Sequence, residues 1–138
     1  MRRVRKWPRL FCRRRLIRWE NCWANSYVVT ASVDYIDFRN SVSLGEIVML
    51  ESQVNRVFHT SMEVGVEVYS ENVLTGERKH TTSAYVTFVA IDEKTHRPKP
   101  VRPLLVKTSE EKRRYEEAAE RRKTRLALRY RENGRPLS

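Results

Sequence analysis

Few residues in this chain have the types and spacing that chemistry needs. His59, His80 and His96 stand far apart, with no i, i+4 pair and no neighbouring ligand cluster, so they do not outline a metal site. Cys12 and Cys22 are separated by nine residues of an Arg-rich stretch without a C-x-x-C motif, the pattern of free thiols in a reducing compartment. Ser32, Ser61 and Ser83 lack the G-x-S-x-G setting of a nucleophile elbow. Asp34 and Asp37 fall on opposite faces of any regular strand, which argues against a paired-carboxylate site. Spacing alone therefore names no reaction, and no cofactor or metal is expected.

The elements that would position these groups are clearer. Tyr27 to Phe38 is rich in β-branched and aromatic residues and free of Gly and Pro. Regular alternation would put Val29, Ala31, Val33 and Tyr35 on one face, with Val28, Ile36 and Phe38 on the other. A second run spans Glu46 to Phe58. In the third, Met62, Val64, Val66 and Val68 alternate with Glu63, Gly65 and Glu67. Leu74-Thr75-Gly76-Glu77 reads as a hairpin turn before a fourth run, Thr81 to Ile91. Four such strands joined by short connections predict an antiparallel meander, and its apolar face needs a cover. Pro98, Pro100 and Pro103 mark an extended connector. Thr108-Ser109-Glu110-Glu111 then has capping-box form, opening a helix over about 109–131 with acids early and bases late, as the helix dipole favours. Its apolar stripe (Tyr115, Ala118, Ala119, Leu126, Tyr130) is thin, which predicts a helix on the surface or against a partner.

Length and charge narrow the function. With 138 residues the chain is long enough for one small domain, and 40% hydrophobic residues permit a core despite 33% charged ones. Apolar runs are far shorter than the ~18 residues a bilayer span needs, so no membrane partner is expected. The net charge of +11 first points to nucleic acid. Its distribution argues otherwise. Residues 1–19 hold nine basic side chains and no acid, residues 20–104 are net −3, and residues 105–138 are net +5. The predicted strands are poor in Arg and Lys and carry no array of stacking aromatics, so a nucleic-acid module is the weaker reading.

Five segments, in order and in register, carry a resemblance. These are Val29 to Phe38 with Leu44-Gly45-Glu46-Ile47, Thr60-Ser61-Met62-Glu63-Val64, Leu74 to Lys79, Ala84 to Ala90, and Ala118 to Leu126. Together they resemble the acyl-CoA thioesterases of hotdog fold, in the branch that includes the brown-fat-inducible and cytosolic acetyl-CoA hydrolases, over about residues 27–130. The resemblance implies an α+β hotdog fold, an antiparallel sheet normally wrapped around a central helix and followed by a C-terminal helix, with the central helix expected to be absent or replaced here. It implies hydrolysis of fatty acyl-CoA to free acid and CoA, at sites formed between two such folds. The implied partners are acyl-CoA or CoA and a second hotdog domain, as a homo-oligomer or another hotdog chain. Residue by residue, Ala31, Ser32, Val33, Thr60, Ser61 and Met62 match positions lining the CoA channel. Lys123, in the basic stretch Arg121-Arg122-Lys123, matches a patch near the nucleotide. Small side chains suit the narrow pantetheine arm, and Arg or Lys at a helix end suits its phosphates.

Family members enter the sheet through a Gly-containing turn and a central helix that supplies an acid or Asn to activate water. The first glycine here is Gly45, and Glu20 stands too close to Val29 for that role, so no catalytic residue is assigned. The expected organisation is an Arg-rich, non-matching leader (1–26), a hotdog sheet with its connector (27–107), a basic helix (108–131) and a tail (132–138). Three readings of the leader stay open: a segment from an alternative start, splice or frame; a mitochondrial transit segment; or a short surrogate for the central helix built on Leu10, Phe11, Leu16, Ile17 and Trp19. The expected location is cytoplasmic, with mitochondrial as the alternative. Besides hydrolysis, the sequence leaves a non-catalytic CoA-binding subunit open.

Overall fold

The computed structural model describes residues 27–133. Strand β1 (Tyr27–Phe38), β2 (Glu46–Val57), β3 (Ser61–Asn72) and β4 (Arg78–Ile91) precede a single helix among the described residues, α1 (Ser109–Asn133). All pairings are antiparallel and the order across the sheet is β1-β4-β3-β2. The expected meander therefore holds only for β2, β3 and β4. Strand β1 joins the opposite edge, beside β4, and residues 39–45 carry the chain across the end of the sheet. Three strand spacings amount to about 14 Å, within the ~23 Å that seven extended residues can reach. The crossing starts over β4, where the backbone N–H of Arg39 donates to the Thr81 carbonyl at 2.8 Å and Asn40 Nδ2 donates to that of His80 at 2.7 Å.

Strand β1 is not regular. Its register against β4 slips between Thr30 and Ser32 and again between Val33 and Tyr35, so Ala31 and Asp34 have no partner across the ladder. Each extra residue reverses the alternation that follows it. Val33 ends up opposite Val86 and Tyr35 opposite Tyr85, which lie on different faces of β4. Asp34 is turned onto the face of Thr87, which is also the face of Ser83, opposite Asp37. The expectation that Asp34 and Asp37 lie on opposite faces is thus overturned by one bulge.

On the other face, Val57, Met62, Val64 and Ala90 form the core with Val101 from the connector, and Val28, Val54, Val66, Phe88 and Leu104 pack against it. The proline-rich segment is an integral cover. The Lys99 N–H donates to the Ala90 carbonyl and the Val101 N–H to that of His59, both at 2.9 Å, which lays Val101 and Leu104 over one end of the sheet. Farther along the same face, Ile36, Val48 and Leu50 remain 45–48% exposed. Residues 1–26, including the surrogate-helix residues, lie outside the described part.

Helix α1 begins with the expected capping box: the Glu111 N–H donates to Thr108 Oγ1 at 3.2 Å, and Glu111 Oε2 accepts from the Thr108 N–H at 3.1 Å. Thr108→Ala should lower stability by about 1 kcal/mol, measurable as an earlier urea midpoint. An unchanged midpoint would remove the cap from the account.

The helix does not dock through its apolar stripe, of which Ala118 alone is fully buried. It docks through arginines. Arg114 Nη1 donates to Gln53 at 2.8 Å, Arg121 binds Glu63, Arg125 binds Asp34, and Arg129 reaches the Ala31 carbonyl at 3.4 Å. From the sheet, Arg56 donates to the Tyr115 carbonyl at 3.0 Å, with its guanidinium 3.9 Å from the Tyr115 ring centre. No described helix is long and apolar enough to cross a membrane.

Candidate functional site

The second half of α1 and the β1–β4 side of the sheet enclose a groove of about 550 Å³. Its sheet side is formed by Ser32, Tyr35 and Tyr85 and its helix side by Arg121, Arg125 and Arg129, which follow one another at four-residue intervals along one helical face. The bulge at Asp34 makes this possible, because it brings Tyr35 beside Tyr85, with ring centres 6.5 Å apart.

Two ion pairs fix the helix side. The Glu63 carboxylate, with a side chain 1% exposed, accepts from Arg121 Nη2 at 2.7 Å and from Nε at 3.2 Å. The Arg121 guanidinium also lies 3.8 Å from the Tyr85 ring centre. Burial draws the Arg121 pKa down, but the hydrogen bonds and charge of Glu63 outweigh it and leave the pKa raised. Asp34, 8% exposed, binds Arg125 Nη1 and accepts from Ser32 Oγ at 2.9 Å and Thr87 Oγ1 at 3.3 Å. Buried arginine–carboxylate pairs of this kind require that each oxygen finds donors, and here each carboxylate has at least two.

The residues expected to bind CoA are divided between places. Ala31, Ser32 and Val33 lie at the groove: Ser32 and Val33 line it, and the Ala31 carbonyl accepts from Arg129. Thr60 and Ser61 sit outside it, where the Thr60 carbonyl accepts from the Ala90 N–H at 2.9 Å and the Ser61 carbonyl from the Phe58 N–H at 2.8 Å. Met62 is a core residue, 2% exposed. Lys123 is 73% exposed and donates to Glu120 at 2.7 Å, on the rim side of α1. Its neighbour Arg122 stacks on Phe58 instead, 4.3 Å from the ring centre. Sequence reasoning missed Tyr35, Tyr85, Arg125, Arg129 and the two carboxylate anchors. The i, i+4 spacing of Arg121, Arg125 and Arg129 was the available signal.

The remaining candidates do not build a second reaction centre. His80 Nε2 meets Glu67, and Ser83 Oγ lies 2.8 Å from Glu67 and 3.2 Å from the same His80 nitrogen. A nucleophile relay would use the two ring nitrogens for two different partners, so this cluster is an ordinary polar contact on the sheet. No group of three metal-ligating side chains occurs among the described residues. Cys12, Cys22 and Glu20 lie outside them.

The model of the thioesterase superfamily matches residues 11–77. A solved hexameric acyl-CoA thioesterase in its apo state superposes with a TM-score of 0.71 and 47% identity, over 81% of this chain and 69% of that one. The chain belongs to the hotdog acyl-CoA thioesterase family. The expected α+β hotdog sheet with a C-terminal helix is therefore the observed one. An acyl-CoA hydrolase from Staphylococcus aureus, solved with butyryl coenzyme A, coenzyme A and coenzyme A disulfide, gives a TM-score of 0.71 at 32% identity, over 80% of this chain and 67% of that one. Mouse acyl-coenzyme A thioesterase 11 is 43% identical over 99 residues, 71% of this chain but 16% of the mouse protein. The chain thus spans only part of the length of the curated relatives it matches, 16% of the mouse protein and 55% of Helicobacter pylori protein VdlD, and the superfamily match begins upstream of β1, at residue 11.

Proposed function

We propose that the chain acts on acyl-CoA thioesters, releasing free acid and CoA, and holds CoA along the groove between α1 and β1. The carrying observation is that Ala31, Ser32 and Val33 meet a face of three arginines there, in a chain of the acyl-CoA thioesterase family. CoA is a polyanion with a narrow amide-bearing arm. Guanidinium groups answer its phosphates. Strand β1 answers the arm, because it is an edge strand whose outer N–H and C=O groups have no neighbour strand among the described residues. Arg129 is the readiest cation, since it is held by a long contact to the Ala31 carbonyl at 3.4 Å, and Lys123 supplies charge at the rim. Thr60 and Ser61 lie across β4 from β1 and outside the groove, with Met62 in the core, so this reading rests CoA contact on Ala31, Ser32 and Val33.

Both carboxylates of the groove are paired, Asp34 with Arg125 and Glu120 with Lys123. The reading therefore uses the groove for recognition and places water activation at a surface completed by a second hotdog domain. Hexameric relatives support such an assembly. The test is thiol release from acyl-CoA by the purified chain. Turnover is expected, with Arg129→Ala raising KM about tenfold and leaving kcat nearly unchanged. CoA binding without turnover would replace the hydrolase by a CoA-binding subunit. Loss of both, with salt-sensitive nucleic-acid binding instead, would overturn the reading.

A further inference from the structure

We propose that Asn55 and Gly65 are positioning residues that set Arg121 on the wall of the groove, acting through Glu63. This rests on the reading of the groove as a CoA site. The relay begins with a space. Gly65 lies inside β3 and is not among the glycines with positive φ, so its backbone conformation does not call for glycine. Its surroundings do. A Cβ built there would fall 2.9 Å from Asn55 Nδ2, closer than a Cβ normally comes, and a tight 3.3 Å from Asn55 Oδ1, so the Asn55 amide would have to shift.

Asn55 occupies that space because β2 slips register between Val54 and Arg56, leaving Asn55 as the extra residue. Its amide is 3% exposed, and Nδ2 donates to Glu63 Oε1 at 3.1 Å. That bond meets the carboxylate from the sheet side while Arg121 meets it from the helix side with Nε and Nη2. A carboxylate held from two directions cannot swing. The guanidinium it grips is in turn held over Tyr85, with Nη1 3.8 Å from Glu117 Oε2, and Arg121 lines the groove wall in that position. Neither Asn55 nor Gly65 lines the groove, so each acts on the ligand only by aiming Arg121.

The experiment compares wild type, Gly65→Ala, Asn55→Ala and the double variant in the full chain. Two readouts are used: CoA affinity by calorimetry, and the Arg121 Nε–H resonance, assigned by its loss in Arg121→Lys. Each single substitution should weaken CoA about tenfold and shift the Arg121 resonance. The double variant should be no worse than either alone, because both remove the same hydrogen bond. Asn55→Ala deletes the donor without adding bulk, so it carries the test even if Gly65→Ala does not fold. An unmoved Arg121 resonance would overturn the proposal, as would unchanged CoA affinity beside a lowered melting temperature. If wild type binds no CoA, the groove reading fails while the resonance still decides the relay.

Discussion

Replacing Arg121 with methionine should lower the unfolding free energy by about 3–5 kcal/mol. The Glu63 side chain is 1% exposed, so removal of the guanidinium strands a carboxylate where water cannot reach it, with the Asn55 amide as its remaining partner. Methionine keeps the unbranched stem, which confines the loss to the charge. The pair itself contributes far less than this, because forming it required two ions to leave water. The double variant Glu63→Gln/Arg121→Met should accordingly recover most of the loss. Urea unfolding checks both statements through the midpoint at constant slope. A loss below about 1 kcal/mol for Arg121→Met would mean that the pair behaves as a surface contact and does not hold α1.

Met62→Ala should cost about 2–5 kcal/mol, and Met62→Leu less than about 1.5 kcal/mol. Met62 is 2% exposed and packs with Val57, Val64 and Ala90, so truncation opens a cavity that its strand neighbours cannot close. The comparison separates two roles for a residue that sequence resemblance placed in the CoA channel. A core residue loses stability on truncation and tolerates a hydrophobe of similar volume. A channel wall would give the reverse, with stability kept and KM altered by both substitutions. Thermal or urea unfolding beside a KM measurement distinguishes them.

What could be read in the sequence was local. Strand β2 to β4, the Gly76 turn and the capping box at Thr108 follow from alternation, turn chemistry and a four-residue motif, each contained in its own stretch of chain. The place of β1 beside β4 could not be read, since alternation states which face is apolar and not which edge is joined. The bulges at Ala31 and Asp34 were equally hidden, because an inserted residue looks like ordinary strand until its partner is known. That is why Asp34 was assigned to the wrong face, and with it the groove was missed. The docking role of the arginine face of α1 was hidden for a different reason. Hydropathy scores a guanidinium as exposed, whereas Glu63 and Asp34, one on β3 and one on β1, make burial of its contacts affordable. Resemblance rather than physics pointed to the family, through segments whose chemistry was individually weak.

The arginine dock has a consequence for the order in which the chain assembles. Its anchors lie on three strands: Gln53 on β2, Glu63 on β3 and Asp34 on β1, with Thr87 of β4 joining Asp34. Arg125 and Asp34 are 91 residues apart along the chain, and β1 pairs with β4 across the whole of β2 and β3. Contacts so distant in sequence carry a large loop-closure cost and form late. The helix therefore cannot lock down on a partly built sheet. Its full seating is a checkpoint on completed topology, since Arg125 finds Asp34 only where β1 lies beside β4 in register.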